Sequence, residues 1–459
     1  MQYSRRYTHM ASLVLLNQIK NNAGKVVVDE EDVGDEIAVL PSFHAIPYAC
    51  LYNICAFVGD ICEIFNSIAL ISKYYYDQFL TETFQVNVSN MNSGMRIDNF
   101  FQFLQKLRSL QTLQLHKVKL QSSHLASLED SDYSLSKLKC LELYSIESEI
   151  NLWNCCFAGE LALEKLVIHD SKVTYIGALL SHTPHLKVLC ISNILDFGNS
   201  SINQLEPILF NLRHLKLQNL PITDLALSYI LKLIQQKNDS FKKNKDGSIS
   251  NKAIILMKLE RLEILCKNIT NSIFKMLIDC HEYMMMNLKA INVSNCNIIK
   301  SADMYEFFSK YNTSINEVGL GCPKMDDHAF LLGMTMDDDK TMISNMNLRK
   351  LLLAQSSISG KSLCVISSVF SHTLYHLNIS WCNSIHGKDF EFLCEIKSLQ
   401  ELICNHCRRL HSNDVIKILL KCNKMHYLSC KNCSLVRLKD IEKKVPSDIR
   451  DNVLIKCGV

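Results

Sequence analysis

No apolar stretch in this 459-residue sequence approaches the roughly 20 residues needed to cross a bilayer, so no membrane span is expected. Neither charge is in excess: 49 Lys and Arg face 46 Asp and Glu, leaving +3 and a pI near 8.0. That balance gives no argument for nucleic acid or an anionic membrane as partner. Arg5-Arg6 and the short apolar run Ala11 to Leu16 lack a small-residue cleavage site and make only a weak mimic of a secretory signal. The twenty cysteines therefore read as reduced thiols of a cytoplasmic or nuclear protein, not as a disulfide framework. Paired carboxylates, a nucleophile elbow or a metal-ligand triad in a plausible setting are missing as well. An enzyme is not expected, and no catalytic residue, metal or cofactor is assigned.

What the chain does have is a recurring leucine-spaced segment. Its plainest copy, Leu374-Tyr-His-Leu377-Asn-Ile379-Ser-Trp-Cys382-Asn-Ser-Ile385, follows the leucine-rich-repeat pattern L-x-x-L-x-L-x-x-C-x-x-L. Aligned on the first apolar residue, the copies are anchored at Leu110, Leu138, Leu163, Leu186, Leu212, Leu259, Leu288, Ile315, Leu348, Leu374, Leu399 and Met425. Nine of the eleven steps between anchors lie between 23 and 29 residues, and the longer steps of 47 and 33 coincide with insertions. Stacked units need no division into separate cores. Within each unit the L-x-L core alternates as a strand with its leucines inward. The following stretch supplies a helix, as in Lys388 to Ile396 with Phe390, Leu393, Cys394 and Ile396 apolar. The predicted fold is α/β: a horseshoe-shaped leucine-rich-repeat solenoid with a parallel concave sheet and convex helices. Twelve strands about 4.8 Å apart span roughly 50 Å, enough to hold a protein-sized ligand.

Residues 1 to 36 carry the acidic run Asp29-Glu-Glu-Asp32 without periodicity and read as a flexible leader. Residues 37 to 82 read as a small all-helical module: Leu51, Ile54, Phe57 and Val58, then Ile61, Ile64, Phe65, Ile68 and Ile71, follow helical spacing around a break at Gly59-Asp60. The solenoid is expected over 83 to 435, opening with an irregular capping repeat over 83 to 107, where Phe84, Val86 and Val88 alternate like a strand. Two insertions, Gln235 to Lys252 (polar and basic) and Gly333 to Asn345 (with Asp337-Asp338-Asp339), read as solvated loops. Residues 436 to 459 are expected to form a C-terminal cap or tail.

Several motifs suggest chemistry until the repeat phase is applied. Cys404-Asn-His-Cys407 and Cys430-Lys-Asn-Cys433 have the spacing of a four-cysteine zinc site. Yet Cys404 and Cys430 fall five residues after their anchors, like Ile379 and Val293, and Cys407 and Cys433 fall eight after, like Cys382 and Cys296. Repeat geometry alone predicts that spacing, and the four are read as buried structural thiols. Gly360-Lys361-Ser362 ends like a phosphate-binding loop, but Gln355 stands where its first glycine belongs. The sequons at Asn292 and Asn378 lie inside predicted strands and are read as accidental.

The helical module resembles an F-box. Leu40-Pro41 is similar to the family's opening Leu-Pro, and Ile46-Pro47 with Leu51, Ile54, Phe57 and Val58 to its first apolar helix. Ile64, Ile68 and Ile71-Ser72-Lys73 with Tyr74-Tyr75-Tyr76 are similar to its closing segment, although Ser42-Phe43 replaces the usual acidic residue and tyrosine stands where tryptophan is common. The repeats, Leu374 to Ile385 and Leu399 to Leu410 above all, resemble the cysteine-containing subtype, and the order of the two parts is that of the F-box/leucine-rich-repeat family. This resemblance implies a non-catalytic substrate-recognition subunit of a cullin-type (SCF) ubiquitin ligase. Leu40, Pro41, Ile46, Pro47, Leu51, Ile54, Phe57, Val58, Ile64 and Ile71 would dock a Skp-family adaptor and, through it, a cullin scaffold. The bland reading of the same module is a helical cap on the solenoid.

Candidate contacts to a protein substrate are the outward positions around each L-x-L: His116, Lys165, His169, His214, Lys216 and Gln218, then His376, Asn378, Trp381, Asn405, Tyr427 and Lys431. The first six lean basic, which would suit an acidic or phosphorylated segment. Two further readings stay open: an interaction scaffold unrelated to ubiquitin, and a GTPase-activating repeat protein, for which Arg408-Arg409 is the visible arginine pair.

Overall fold

The computed structural model describes residues 85–89, 109–120, 137–148, 161–173, 176–243, 258–280, 287–297, 301–334 and 346–458. The expected leader and the F-box-like module, with every adaptor-docking candidate from Leu40 to Ile71, lie outside the described residues. The chain divides into two compact units, and the larger, Phe84–Lys106 with Leu110–Val459, carries the repeats.

Fourteen strands form one parallel sheet in chain order, beginning with Gln85–Ser89 and Thr112–His116 and ending with Tyr427–Lys431 and Leu454–Gly458. The apolar residue three positions after each anchor sets the register. Leu113, Leu141, Leu166, Leu189 and Leu215 are partners in series, and the series continues through Leu262, Ile291, Val318, Leu351, Leu377, Leu402 and Leu428. All are buried. Because side chains alternate along a strand, this register places positions two, four and six after every anchor on the opposite, outer face. Helices and 3₁₀ turns return the chain on the inner side, making the α/β leucine-rich-repeat solenoid. Two strands exceed the twelve anchors. One is Gln85–Ser89; the other, Leu454–Gly458, ends a segment expected as cap or tail, which also forms the helices Leu438–Lys444 and Ser447–Asn452.

The end of each strand is a corner built on left-handed backbone. The residue seven after its anchor has positive φ in ten repeats: Lys117, Ser145, Asp170, Asn193, Asn219, Asn295, Gln355, Trp381, His406 and Asn432. Asn and Asp tolerate this conformation best among residues with a side chain, and five of the ten are of that type. The turn aims each residue's N–H at the strand-end carbonyl of the next repeat, as from Asn193 to Gln218 (3.0 Å), Trp381 to Asn405 (2.9 Å) and Asn432 to Gly458 (2.8 Å).

On the return side, Phe274, Phe307, Phe308 and Tyr311 pack between helices Ser272–Asp279 and Ser301–Tyr311, with ring centroids 4.7 to 6.5 Å apart. Acidic residues in first helical turns tie neighbouring repeats together. Asp224 accepts from the Thr270 N–H (2.8 Å) and hydroxyl (2.7 Å), and Asp327 from the Ser359 N–H (2.8 Å) and the Ser362 hydroxyl (2.6 Å).

Three local expectations change. The insertion read as a loop from Gln235 is helical as far as Lys243, in the helix Asp224–Lys243. Gln and Lys are good helix formers, and no Gly or Pro intervenes before Gly247. Gly333 likewise closes the helix Asp327–Met334, while 244–252 and 335–345 lie outside the described residues. The stretch at Lys388 is a 3₁₀ helix, Gly387–Glu395. Its buried Phe390, Leu393 and Ile396 recur every three residues, the 3₁₀ period.

Candidate functional site

The outer sheet face begins with a row of rings and a buried carboxylate. His116 stacks on Tyr144 with centroids 4.4 Å apart and planes 9° from parallel, and Tyr144 meets His169 at 6.0 Å. His169 Nδ1 is 3.0 Å from the Ser192 hydroxyl. Two residues before Tyr144 on the same face lies Glu142, only 7% exposed, which accepts from Gln114 (2.8 Å), Tyr144 (3.1 Å) and Lys165 (2.6 Å). Burial alone would raise the Glu142 pKa, but the hydrogen bonds from Lys165 and Tyr144 and the Lys165 charge outweigh it and hold the carboxyl below its ordinary value. The same hydrogen bond raises the Lys165 pKa.

Farther along, His214 Nε2 lies 3.1 Å from Glu263, and Arg261 reaches Glu317 at 2.6 Å. Although burial opposes it, the hydrogen bond from His214, with Lys216 and Arg261 nearby, holds the Glu263 carboxyl below its usual pKa. Gln218 ends its strand and accepts the corner N–H of Asn193. The basic lean expected of His116, Lys165, His169, His214 and Lys216 is therefore offset on this face. Glu142 takes up the Lys165 charge, and Glu263 lies beside His214 and Lys216.

The C-terminal candidates separate into two groups. His376, expected on a solvated position, is 8% exposed and 2.6 Å from Glu401. Burial lowers its pKa, with Glu401 opposing. Asn378 folds back to accept the Ser380 N–H (3.0 Å), as Asn292 does for Ser294 (3.1 Å), so both sequon asparagines serve strand ends. Asn405 accepts from the Ser429 hydroxyl and the Lys431 N–H, each at 2.8 Å. These three residues are occupied structurally. The other three side chains are not tied to strand ends: Lys431 is exposed, the Tyr427 ring lies 5.3 Å from Lys456 Nζ, and Trp381 is 43% exposed while stacked on His406 at 3.9 Å and 13°.

Cys404, Cys407, Cys430 and Cys433 are buried, as the repeat phase indicates. Cysteines eight residues after an anchor donate to the carbonyl five after the previous anchor: Cys296 to Ile264 (2.9 Å), Cys382 to Leu353 (3.1 Å), Cys407 to Ile379 (3.3 Å) and Cys433 to Cys404 (3.1 Å). Burial raises their pKa values, to about 12 for Cys296 and about 11 for Cys382, keeping them as neutral donors. Among the described residues, no group of three or more His, Cys, Asp or Glu is arranged to hold a metal. At Gly360 the helix start faces a carboxylate. A Cβ there would lie 2.2 Å from Asp389 of the next repeat, so the glycine serves repeat packing. Among the described residues no helix is long and apolar enough to cross a membrane.

Glu142, Tyr144, Arg261, Glu263, Glu317 and His406 escaped the sequence-based choice. All but His406 occupy the same outward strand positions as the chosen residues, and strict phase counting finds them. His406 sits at the left-handed corner, outside strand alternation.

No protein-family model matches the chain, and no curated protein matches it. Among solved structures, the fold is similar to one in a crystal structure of the Rad7 and Elc1 complex in yeast, with 12% identity over 89% of this chain and 91% of that one and a TM-score of 0.39. It is also similar to an internalin from Listeria monocytogenes, with 16% identity over 73% of this chain and 88% of that one and a TM-score of 0.36.

Proposed function

We propose that this chain is a non-catalytic, protein-binding solenoid that serves as the substrate receptor of a cullin-type ubiquitin ligase in the cytoplasm or nucleus. The observation that carries the binding role is the outer face of the fourteen-stranded sheet. At about 4.8 Å per strand it runs for roughly 65 Å with an outward side chain at every second position. Part-buried hydrogen bonds hold several of those side chains, Glu142, His214, Arg261 and His376 among them, in fixed orientations, which limits the entropy lost on binding.

The link to ubiquitin rests on the F-box-like pattern from Leu40 to Tyr76. Catalysis on this reading is proximity: the receptor raises the effective concentration of a substrate lysine near a charged conjugating enzyme. Full-length protein is expected to capture a purified Skp-family adaptor, and the double substitution Ile54→Asp, Phe57→Asp to abolish capture. Failure of the unsubstituted chain to bind the adaptor would remove the ligase role and leave an interaction scaffold.

A further inference from the structure

The charge of the strand-end corner changes along the solenoid. From six to thirteen residues after the anchor, the last three repeats and the one before them read 354–361, 380–387, 405–412 and 431–438. These four stretches contain no Asp or Glu, yet hold Lys361, Arg408, Arg409, Lys431 and Arg437. The corresponding stretches of five of the eight earlier repeats contain Glu147, Glu149, Asp170, Asp196, Asp224, Asp326 and Asp327, while those of the repeats anchored at Leu110, Leu259 and Leu288 contain no acid, so only the last four repeats form an unbroken acid-free run of four. The acids that follow the basic stretches are engaged as caps: Asp389 accepts the His386 N–H (2.8 Å) and Asp414 the His411 N–H (3.0 Å). Arg408, Arg409 and Lys431 are exposed. Among the described residues none of the three forms an ion pair, and Arg409 donates to the ring of His386 at 2.7 Å.

An aromatic pair, Trp381 exposed and His406 half-buried, occupies the same corner. Trp381 and His406 hold φ of 64° and 59°, where the flanking repeats place Gln355 and Asn432. A bulky side chain is disfavoured there, and such conformations persist where the surroundings impose them, often at functional sites. His406 covers one face of the indole, while Trp381 remains 43% exposed.

We infer that this corner docks an acidic, extended segment of a partner protein, with one apolar side chain against the Trp381 indole and carboxylates on Arg408, Arg409 and Lys431. Charge complementarity selects that occupant. The cations lack carboxylate partners, guanidinium groups suit bidentate carboxylate contacts, and the flat Trp–His shelf gives the segment a place to lie. The inference deepens the protein-binding reading and does not depend on the adaptor. Capture and docking use different parts of the chain, so either can fail alone.

The test titrates full-length protein into three labelled probes followed by anisotropy: a glutamate-rich peptide with one central leucine, its lysine-rich counterpart, and a single-stranded oligonucleotide. Saturable binding of the glutamate peptide alone is expected. Arg408→Glu with Arg409→Glu should weaken it by at least about tenfold, the scale of losing charge-assisted hydrogen bonds. Trp381→Asn, which suits the left-handed backbone and so leaves the fold intact, should weaken it by several-fold. No saturable binding of the glutamate peptide, preference for the oligonucleotide, or undiminished binding by the folded arginine variant would each overturn the inference.

Discussion

The N-terminal sheet face and the C-terminal corner use similar residue types for different ends. In the first, Lys165 and His214 meet carboxylates at 2.6 and 3.1 Å, and Glu142 is buried beside Gln114 and Tyr144. In the second, Arg408, Arg409 and Lys431 point from an acid-free edge beside a half-exposed tryptophan. Counting cations along the sequence would put the basic surface in the first region; pairing them in space moves it to the second. A cation already neutralised by a buried partner stiffens its surface and offers little to an incoming anion, because binding would have to break the existing pair.

The largest expected effects test whether the regions share one scaffold. Leu166→Ala and Leu402→Ala remove fully buried side chains at the same repeat position in each region, and each should cost about 3 kcal/mol in denaturant unfolding. A difference of several kcal/mol between them would show that the regions do not form one equivalent core. Asp327→Ala strips acceptors from Ser359 and Ser362 and should cost about 2 kcal/mol. The Asp327 carboxyl has a pKa held below the usual 3.8 by those donors despite burial. Its contribution is therefore present above that value and disappears as the pH falls through the lowered pKa. The variant should be less acid-sensitive than the parent below about pH 4.

Glu142→Gln comes next, at about 1 kcal/mol. It should return the Lys165 pKa, read by NMR titration, toward the ordinary lysine value and make the N-terminal face bind anions it previously did not. His376 gives a smaller, pH-dependent signal. Its folded pKa lies below 6.5, so the unfolded chain takes up the proton first, and stability contributed by the neutral ring falls as the pH drops below about 6.5. His376→Gln should flatten that part of the stability–pH curve. Smallest is Trp381→Asn, expected to stabilise the fold by about 0.5 kcal/mol by relieving a bulky left-handed residue, while weakening the docking corner.

The repeat phase made most of the fold legible. The apolar residues three and five after each anchor became the buried register, and the cysteines eight after became carbonyl donors, because both roles depend on local alternation alone. The final strand Leu454–Gly458 was hidden because its inward residues, Ile455 and Cys457, carry no leucine pattern. The site was harder to read for a different reason. Whether Lys165 is free depends on Glu142, 23 residues away in sequence, and whether His376 is exposed depends on the next repeat. Trp381 was selected as a strand-face residue, but its placement follows from a backbone corner that propensity does not mark.

The most direct measurement compares charge reversal in the two regions on the same glutamate-rich peptide. Arg408→Glu with Arg409→Glu should lower affinity by about tenfold or more, whereas Lys165→Glu with Lys216→Glu should leave it within about twofold, both in protein whose thermal unfolding remains cooperative. Equal losses in the two variants, or a larger loss from the N-terminal pair, would contradict the account.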